Sequence, residues 1–167
     1  MKENIPYKVV GSFYFYNRKE IKDLISYLKL IYNPSDDISL NRIINVPKRG
    51  IGLKTMENLT TRANILNDSL FNTIDSGKEL DFKKLILEFQ EMSEELTLTE
   101  LVDLILDKTG IRKELVAEDT IESQGRLENL EEFKSITKSF EDKYGVVSLA
   151  EFLDEISLVS DVEEHKN

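Results

Sequence analysis

The chain has 167 residues, 40% hydrophobic and 32% charged, with a net charge of −10 and no cysteine. That length buries a core without covalent staples, the missing cysteine excludes disulfides and thiolate metal sites, and the acidic balance excludes a protein that coats polyanions with its whole surface. With no run of about 18 apolar residues, no signal-peptide pattern and few glycines or prolines, the sequence reads as soluble, intracellular and mainly helical.

Taken in order, Pro6-Tyr7-Lys8-Val9-Val10-Gly11 reads as a short strand and Phe13-Tyr14-Phe15-Tyr16 as a second β-prone run, together a strand or hairpin. The aromatic run has the makings of a base-stacking platform, but alternating faces of a half-buried strand explain it better. From Asn17 the period becomes helical: Ile21, Leu24, Ile25, Leu28 and Ile31 share a face, and Asn33-Pro34 stops the helix near Tyr32. Ser35-Asp36-Asp37 caps a short helix carrying Ile38, Leu40, Ile43 and Ile44 that ends before Pro47. A glycine turn follows, then a helix from about Leu53 to Leu66, a short one begun by Asp68-Ser69, and one from about Glu79 to Leu96 with Leu80, Leu85, Ile86, Phe89 and Met92 inward. Thr97-Leu98-Thr99-Glu100 offers a cap for a helix carrying Leu101, Val102, Leu104, Ile105 and Leu106. Ile111 to Ala117, Thr120 to about Phe140 (with Ile121, Leu127, Leu130, Phe133, Ile136 and Phe140) and Ser148 to about Val159 complete the set, before a frayed tail. The expectation is a mainly α domain of about eight or nine helices with a short N-terminal β-strand or hairpin.

Catalytic chemistry finds few candidates. No glycine fits a G-x-x-x-x-G-K-[ST] phosphate loop or a G-x-G-x-x-G fingerprint, and the only histidine, His165, lies in the tail. Glu88, Glu91 and Glu95, and Glu128, Glu131 and Glu132, share helix faces; solvated surface explains them better than a metal or general-acid site.

Charge singles out one stretch. Residues 1–77 hold 11 Lys/Arg against 8 Asp/Glu, whereas residues 78–167 hold 11 against 24. Between Ile38 and Met56 there is no acidic residue, and Arg42, Lys48, Arg49 and Lys54 are positive. Gly50-Ile51-Gly52 before a helix start would let backbone N–H groups meet a phosphate at the positive end of the helix dipole. On that reading Ile51 anchors, Lys48, Arg49 and Lys54 neutralise, and Thr55 adds a hydroxyl. A tight helix-to-helix turn with solubilising lysines and arginines accounts for the spacing equally well.

Several ordered blocks resemble bacterial UvrD/PcrA-type superfamily 1 DNA helicases. They are Ile5-Pro6-Tyr7-Lys8-Val9-Val10-Gly11, Phe15-Tyr16-Asn17-Arg18-Lys19-Glu20-Ile21-Lys22-Asp23, Asn33-Pro34-Ser35-Asp36-Asp37, Arg42-Ile43-Ile44-Asn45-Val46-Pro47-Lys48-Arg49-Gly50-Ile51-Gly52, and Gln124 to Phe133. Ser12 and Gly125 depart from the family's usual glycine and serine. The resemblance implies a residual 2A-like segment over 1–32, a helical 2B-like subdomain over 33–160 and a flexible tail over 161–167. It implies duplex-DNA backbone contacts on Lys48, Arg49, Gly50, Ile51, Gly52, Lys54 and Thr55, in a regulatory part of an ATP-dependent 3′→5′ helicase of DNA repair or replication. No catalytic or metal residue is expected here, since the parent's ATP and Mg²⁺ would sit in other segments. Expected partners are duplex DNA and subdomains 1A, 1B and 2A, in a bacterial cytoplasm at the nucleoid. The opening strand would then lack its sheet, and is expected to fold back, pair with another copy or stay disordered. The alternative is a helical interaction module whose acidic half docks a repair factor or RNA polymerase.

Overall fold

The computed structural model describes the backbone of residues 14–166 and the side chains of residues 14–159. Within these limits the chain is mainly α, with no strand. Residues 14–16 form a helical turn. There follow α1 (Lys19–Tyr32), α2 (Asp37–Ile43), α3 (Leu53–Leu66), α4 (Leu70–Thr73), α5 (Gly77–Ser93), α6 (Leu98–Lys108), α7 (Ile111–Glu118), α8 (Ile121–Tyr144) and α9 (Leu149–Lys166).

The organising element is α1. Ile21, Leu24, Ile25, Leu28 and Ile31 are buried as their spacing predicts, but so are Tyr27, Leu30, Asp23 and Ser26 on other faces. A helix apolar on most sides needs neighbours on most sides. It packs against α2, α5, α8 and α9. Each large apolar side chain so buried contributes about 1.5–3 kcal/mol before chain entropy is subtracted. Asp23 is tolerated because Arg42 Nε donates to it at 2.8 Å and Lys19 Nζ at 3.3 Å.

Two groups of helices flank this centre. On one side α3 and α4 pack together and α4 meets α2; on the other α6, α7 and α8 pack mutually. Arg112 and Lys134 join the second group through Asp103, at 2.8 and 3.0 Å. The hydrogen bond from Arg112, and then those of Lys134, hold the Asp103 carboxyl below the usual carboxylate range. An aromatic chain runs through the base of α8 and α9: Tyr16 to Phe133 (6.5 Å between ring centres), Phe133 to Phe152 (5.7 Å), Phe152 to Phe140 (5.6 Å) and Phe140 to Tyr144 (4.8 Å).

Four expectations are corrected. Tyr14 to Tyr16 are helical, with the Tyr16 ring packed edge-on against Phe133 of α8 rather than across a strand pair; the preceding run, Pro6 to Gly11, lies outside the described residues. Ile38 and Ile121 are exposed, each at the first turn of its helix where the packed stripe has not begun. Helix α2 ends at Ile43, three residues before the expected stop, because the Val46 amide bonds the Ile43 carbonyl at 2.9 Å in a tighter turn instead of continuing the helical ladder. Helical geometry continues to Lys166 where a tail was expected from 161.

Candidate nucleic-acid interface

The turn between α2 and α3 is built from within. Asn45 Oδ1 accepts from the Arg49 amide at 2.7 Å and from the Ile51 amide at 3.2 Å, so one side chain closes the loop in place of missing backbone partners. Ile51 is buried and anchors the turn as its position between two glycines implies. Gly50 has φ +78°, a region glycine enters freely.

Arg49 has a role that spacing did not reveal. Its Nη1 donates to the carbonyls of Ile43, Ile44 and Val46 at 3.0, 2.9 and 3.1 Å, where the helical ladder of α2 ends. Its Nη2 donates to the Tyr27 hydroxyl, which in turn donates to the Val46 carbonyl, and the guanidinium lies over the Phe82 ring. Burial pushes the Tyr27 hydroxyl up to about 12. Arg42 is likewise committed to Asp23. Of the four basic residues in the acid-free stretch, Arg49 turns inward under the loop, and Arg42, at the surface of α2, is engaged by Asp23. Guanidinium forks suit such multiple acceptance, whereas an ammonium suits solvent.

The two lysines remain. Lys48 and Lys54 are exposed and have no ion-pair partner among the described residues. A third joins them: a Cβ built on Gly50 would lie 2.6 Å from Lys78 Nζ, which places the exposed Lys78 over the turn. No local sequence signal marks Lys78, because only the packing of α5 beside the loop brings it there. Glu79 follows it and shares a shallow cleft with Thr55, Asn58 and Arg62.

The turn delivers the chain to a bare helix end. Gly52 caps α3 without any side-chain hydrogen bond, and the first turn of α3 carries no acidic residue. Helices α2, α4, α6 and α8 have side-chain caps, and α1, α5 and α7 have an acidic residue in the first turn. The first-turn amides of Leu53, Lys54 and Thr55 have no intrahelical acceptor by construction, and the dipole leaves partial positive charge there. Gly52 has φ −97° and ψ −172°, which any residue adopts, and a Cβ there would meet nothing within 4 Å. Neither backbone conformation nor internal packing demands glycine at 52; its effect is to leave those amides unscreened. The structure thus brings Lys48, Gly50, Gly52, Lys54 and the half-buried Thr55 to one surface, and turns Arg49 and Ile51 inward.

The carboxylate rows serve as surface. Glu88 pairs with Lys108 at 2.9 Å, and Glu131 with Arg112 and Lys134. Among the described residues no group of three or more His, Cys, Asp or Glu is placed to hold a metal ion, and no helix is long and apolar enough to cross a membrane.

A mainly helical body with a Gly-Ile-Gly turn of this sequence defines a class. The chain belongs to the family of UvrD-like helicase C-terminal domains, whose model matches residues 1–167. It is 42% identical over 175 residues to the ATP-dependent DNA helicase PcrA of Bacillus subtilis strain 168. It is 48% identical over 180 residues to that of Staphylococcus epidermidis RP62A, and 44% over 177 to that of Staphylococcus aureus Mu50. Each comparison covers 98% of this chain and 24% of the relative, so the chain spans about a quarter of the length of these relatives.

Proposed function

We propose that this chain supplies the duplex-DNA grip and regulatory 2B portion of an ATP-dependent 3′→5′ DNA helicase, working beside 1A, 1B and 2A subdomains. The observation that carries this reading is the uncapped N-terminus of α3, flanked by Lys48, Lys54 and Lys78 on a loop locked from inside by Arg49 and Asn45. Amides at a helix start and mobile ammonium groups recognise phosphate oxygens without reading bases. The contact is therefore with the duplex backbone, independent of sequence. ATP and Mg²⁺ belong to the parent enzyme: the chain carries no phosphate-loop motif. The split into a 2A-like segment (1–32) and a 2B-like body (33–160) follows the resemblance, while α1 packs into that body.

Titration of the 167-residue protein with labelled duplex at roughly 50 and 200 mM salt tests the proposal. Binding should fall steeply with salt, and Lys48→Ala and Lys54→Ala should each reduce the log–log salt slope by about 1 while leaving the fold intact. Absence of binding at the lower salt, or a slope unmoved by both substitutions, overturns the reading.

A further inference from the structure

At the opposite functional pole of the charge distribution, the C-terminal half of α8 and the start of α9 enclose a cleft of about 520 Å³. It is lined by the apolar side chains of Phe140, Tyr144, Val146 and Val147 and by the carboxylates Glu151, Asp154 and Glu155. A second cleft of about 380 Å³, bounded by Ile136 and Ser139, opens on the other side of the same Phe140–Tyr144 pair. Val146 is 99% exposed and Tyr144 58%. Two clefts that share the Phe140–Tyr144 pair leave apolar surface uncovered by any of the described residues. Such patches on a soluble body mark interaction sites.

Charge decides what fits. Glu151 is occupied, its Oε1 accepting from the Ser148 amide and hydroxyl at 3.1 Å each. Asp154 and Glu155 are exposed and have no ion-pair partner among the described residues. From Leu149 to Glu164 the sequence of α9 contains no Lys or Arg. The one cation lining either cleft, Lys143, places its Nζ 5.3 Å from the centre of the Tyr144 ring, the arrangement an incoming ammonium or guanidinium would adopt. Phosphate is repelled by the cleft's carboxylates, so nucleic acid is the wrong occupant.

We infer that the α8–α9 face docks a basic amphipathic helix of another protein, its apolar stripe on Phe140, Tyr144 and Val146 and its Lys or Arg side chains on Asp154 and Glu155. This is the helix-in-groove mode, in which apolar anchors give affinity and flanking charges give orientation. The inference is independent of the duplex reading, because the residues and the sign of charge differ.

The probe is a fluorescent amphipathic Leu/Lys helix of about 16 residues, long enough to present two or more apolar anchors, titrated by anisotropy into the 167-residue protein. The control is a scrambled peptide of the same composition. The ordered peptide should bind at least roughly tenfold more tightly than the scrambled one. Val146→Ser and Asp154→Lys, both at exposed positions and checked for unchanged thermal melts, should each weaken it about fivefold or more. Equal affinity for the scrambled peptide reduces the effect to bulk acidity and overturns the inference, as does full affinity in both variants. Sedimentation showing a dimer that excludes the peptide and dissociates with Val146→Ser assigns the face to a second copy, which also overturns it.

Discussion

The Arg49 guanidinium lies 5.0 Å from the centre of the Phe82 ring, joining the α2–α3 loop to α5 across 33 residues of sequence. With three carbonyls and the Tyr27 hydroxyl as further partners, this one side chain closes α2 and fixes the loop on α1. Arg49→Ala removes the donor to the Ile44 carbonyl and the second donor to those of Ile43 and Val46, which keep the Val46 amide and the Tyr27 hydroxyl, and should lower stability by about 2 kcal/mol, read from urea denaturation. Arg49→Lys, with a point charge instead of a fork, should recover less than half of that. A wild-type midpoint for Arg49→Ala would mean that the network contributes nothing.

The two glycines of the turn should separate in their effects. Gly50→Ala forces a Cβ at φ +78° and against Lys78, and should cost about 1 kcal/mol or more of stability. Gly52→Ala meets open space and should cost at most about 1 kcal/mol, chiefly as a poorer N-cap. The same Gly52→Ala change should nonetheless weaken duplex binding, because its methyl group screens the α3 amides. Equal binding by wild type and Gly52→Ala would remove the close-approach argument.

Glu141 reaches from α8 to the start of α6. Its Oε2 accepts from the Leu98 amide at 2.9 Å and its Oε1 from the Thr99 hydroxyl at 2.5 Å, and Thr99 also meets the fully buried Thr137 at 2.8 Å. A carboxylate at a helix N-terminus is favoured by both hydrogen bonding and the dipole. Glu141→Ala should therefore destabilise by about 1–2 kcal/mol, and Glu141→Gln by less, in a thermal or denaturant melt.

Alkaline stability carries a signature of buried phenols. Burial pushes both Tyr16 and Tyr27 up to about 12, from an ordinary value near 10. Between those two pH values the unfolded chain has released protons that the folded chain retains, so stability, undiminished below about pH 10, falls as pH rises toward about 12. Near-ultraviolet titration should show two of the six tyrosines ionising late. Tyr16→Phe should keep the ring contact with Phe133 and make the loss shallower. A single titration step near the ordinary value for all six would refute the assignment.

Local signals were legible in sequence where local physics decides. Leu53–Leu66 falls where its pattern places it, the Thr97–Glu100 capping box is formed, and Asn33 ends α1. What escaped depends on contacts between distant residues. Leu30 is fully buried although it lies opposite the main apolar stripe of α1, because α1 is covered on several sides. The candidate site was legible as a charge reversal around Gly50 and Gly52. Which cations face outward was not: Arg42 and Arg49 are consumed by Asp23 and by the end of α2, and Lys78 arrives from another helix.

Helix α1 is the first long helix described here, and two of its walls are the last. The Asn129 amide of α8 donates at 2.7 Å to Glu20 of α1, across 109 residues of chain, and α9 covers another face. A ribosome therefore delivers the centre of this core long before its enclosure. Ile21, Leu24 and Leu28 must wait for the walls supplied by α8 and α9 while about a hundred further residues are made, with exposed apolar surface that invites chaperones or aggregation. Substitutions that weaken the α8 contact should thus lower soluble yield more than they lower the equilibrium stability of protein that has already folded.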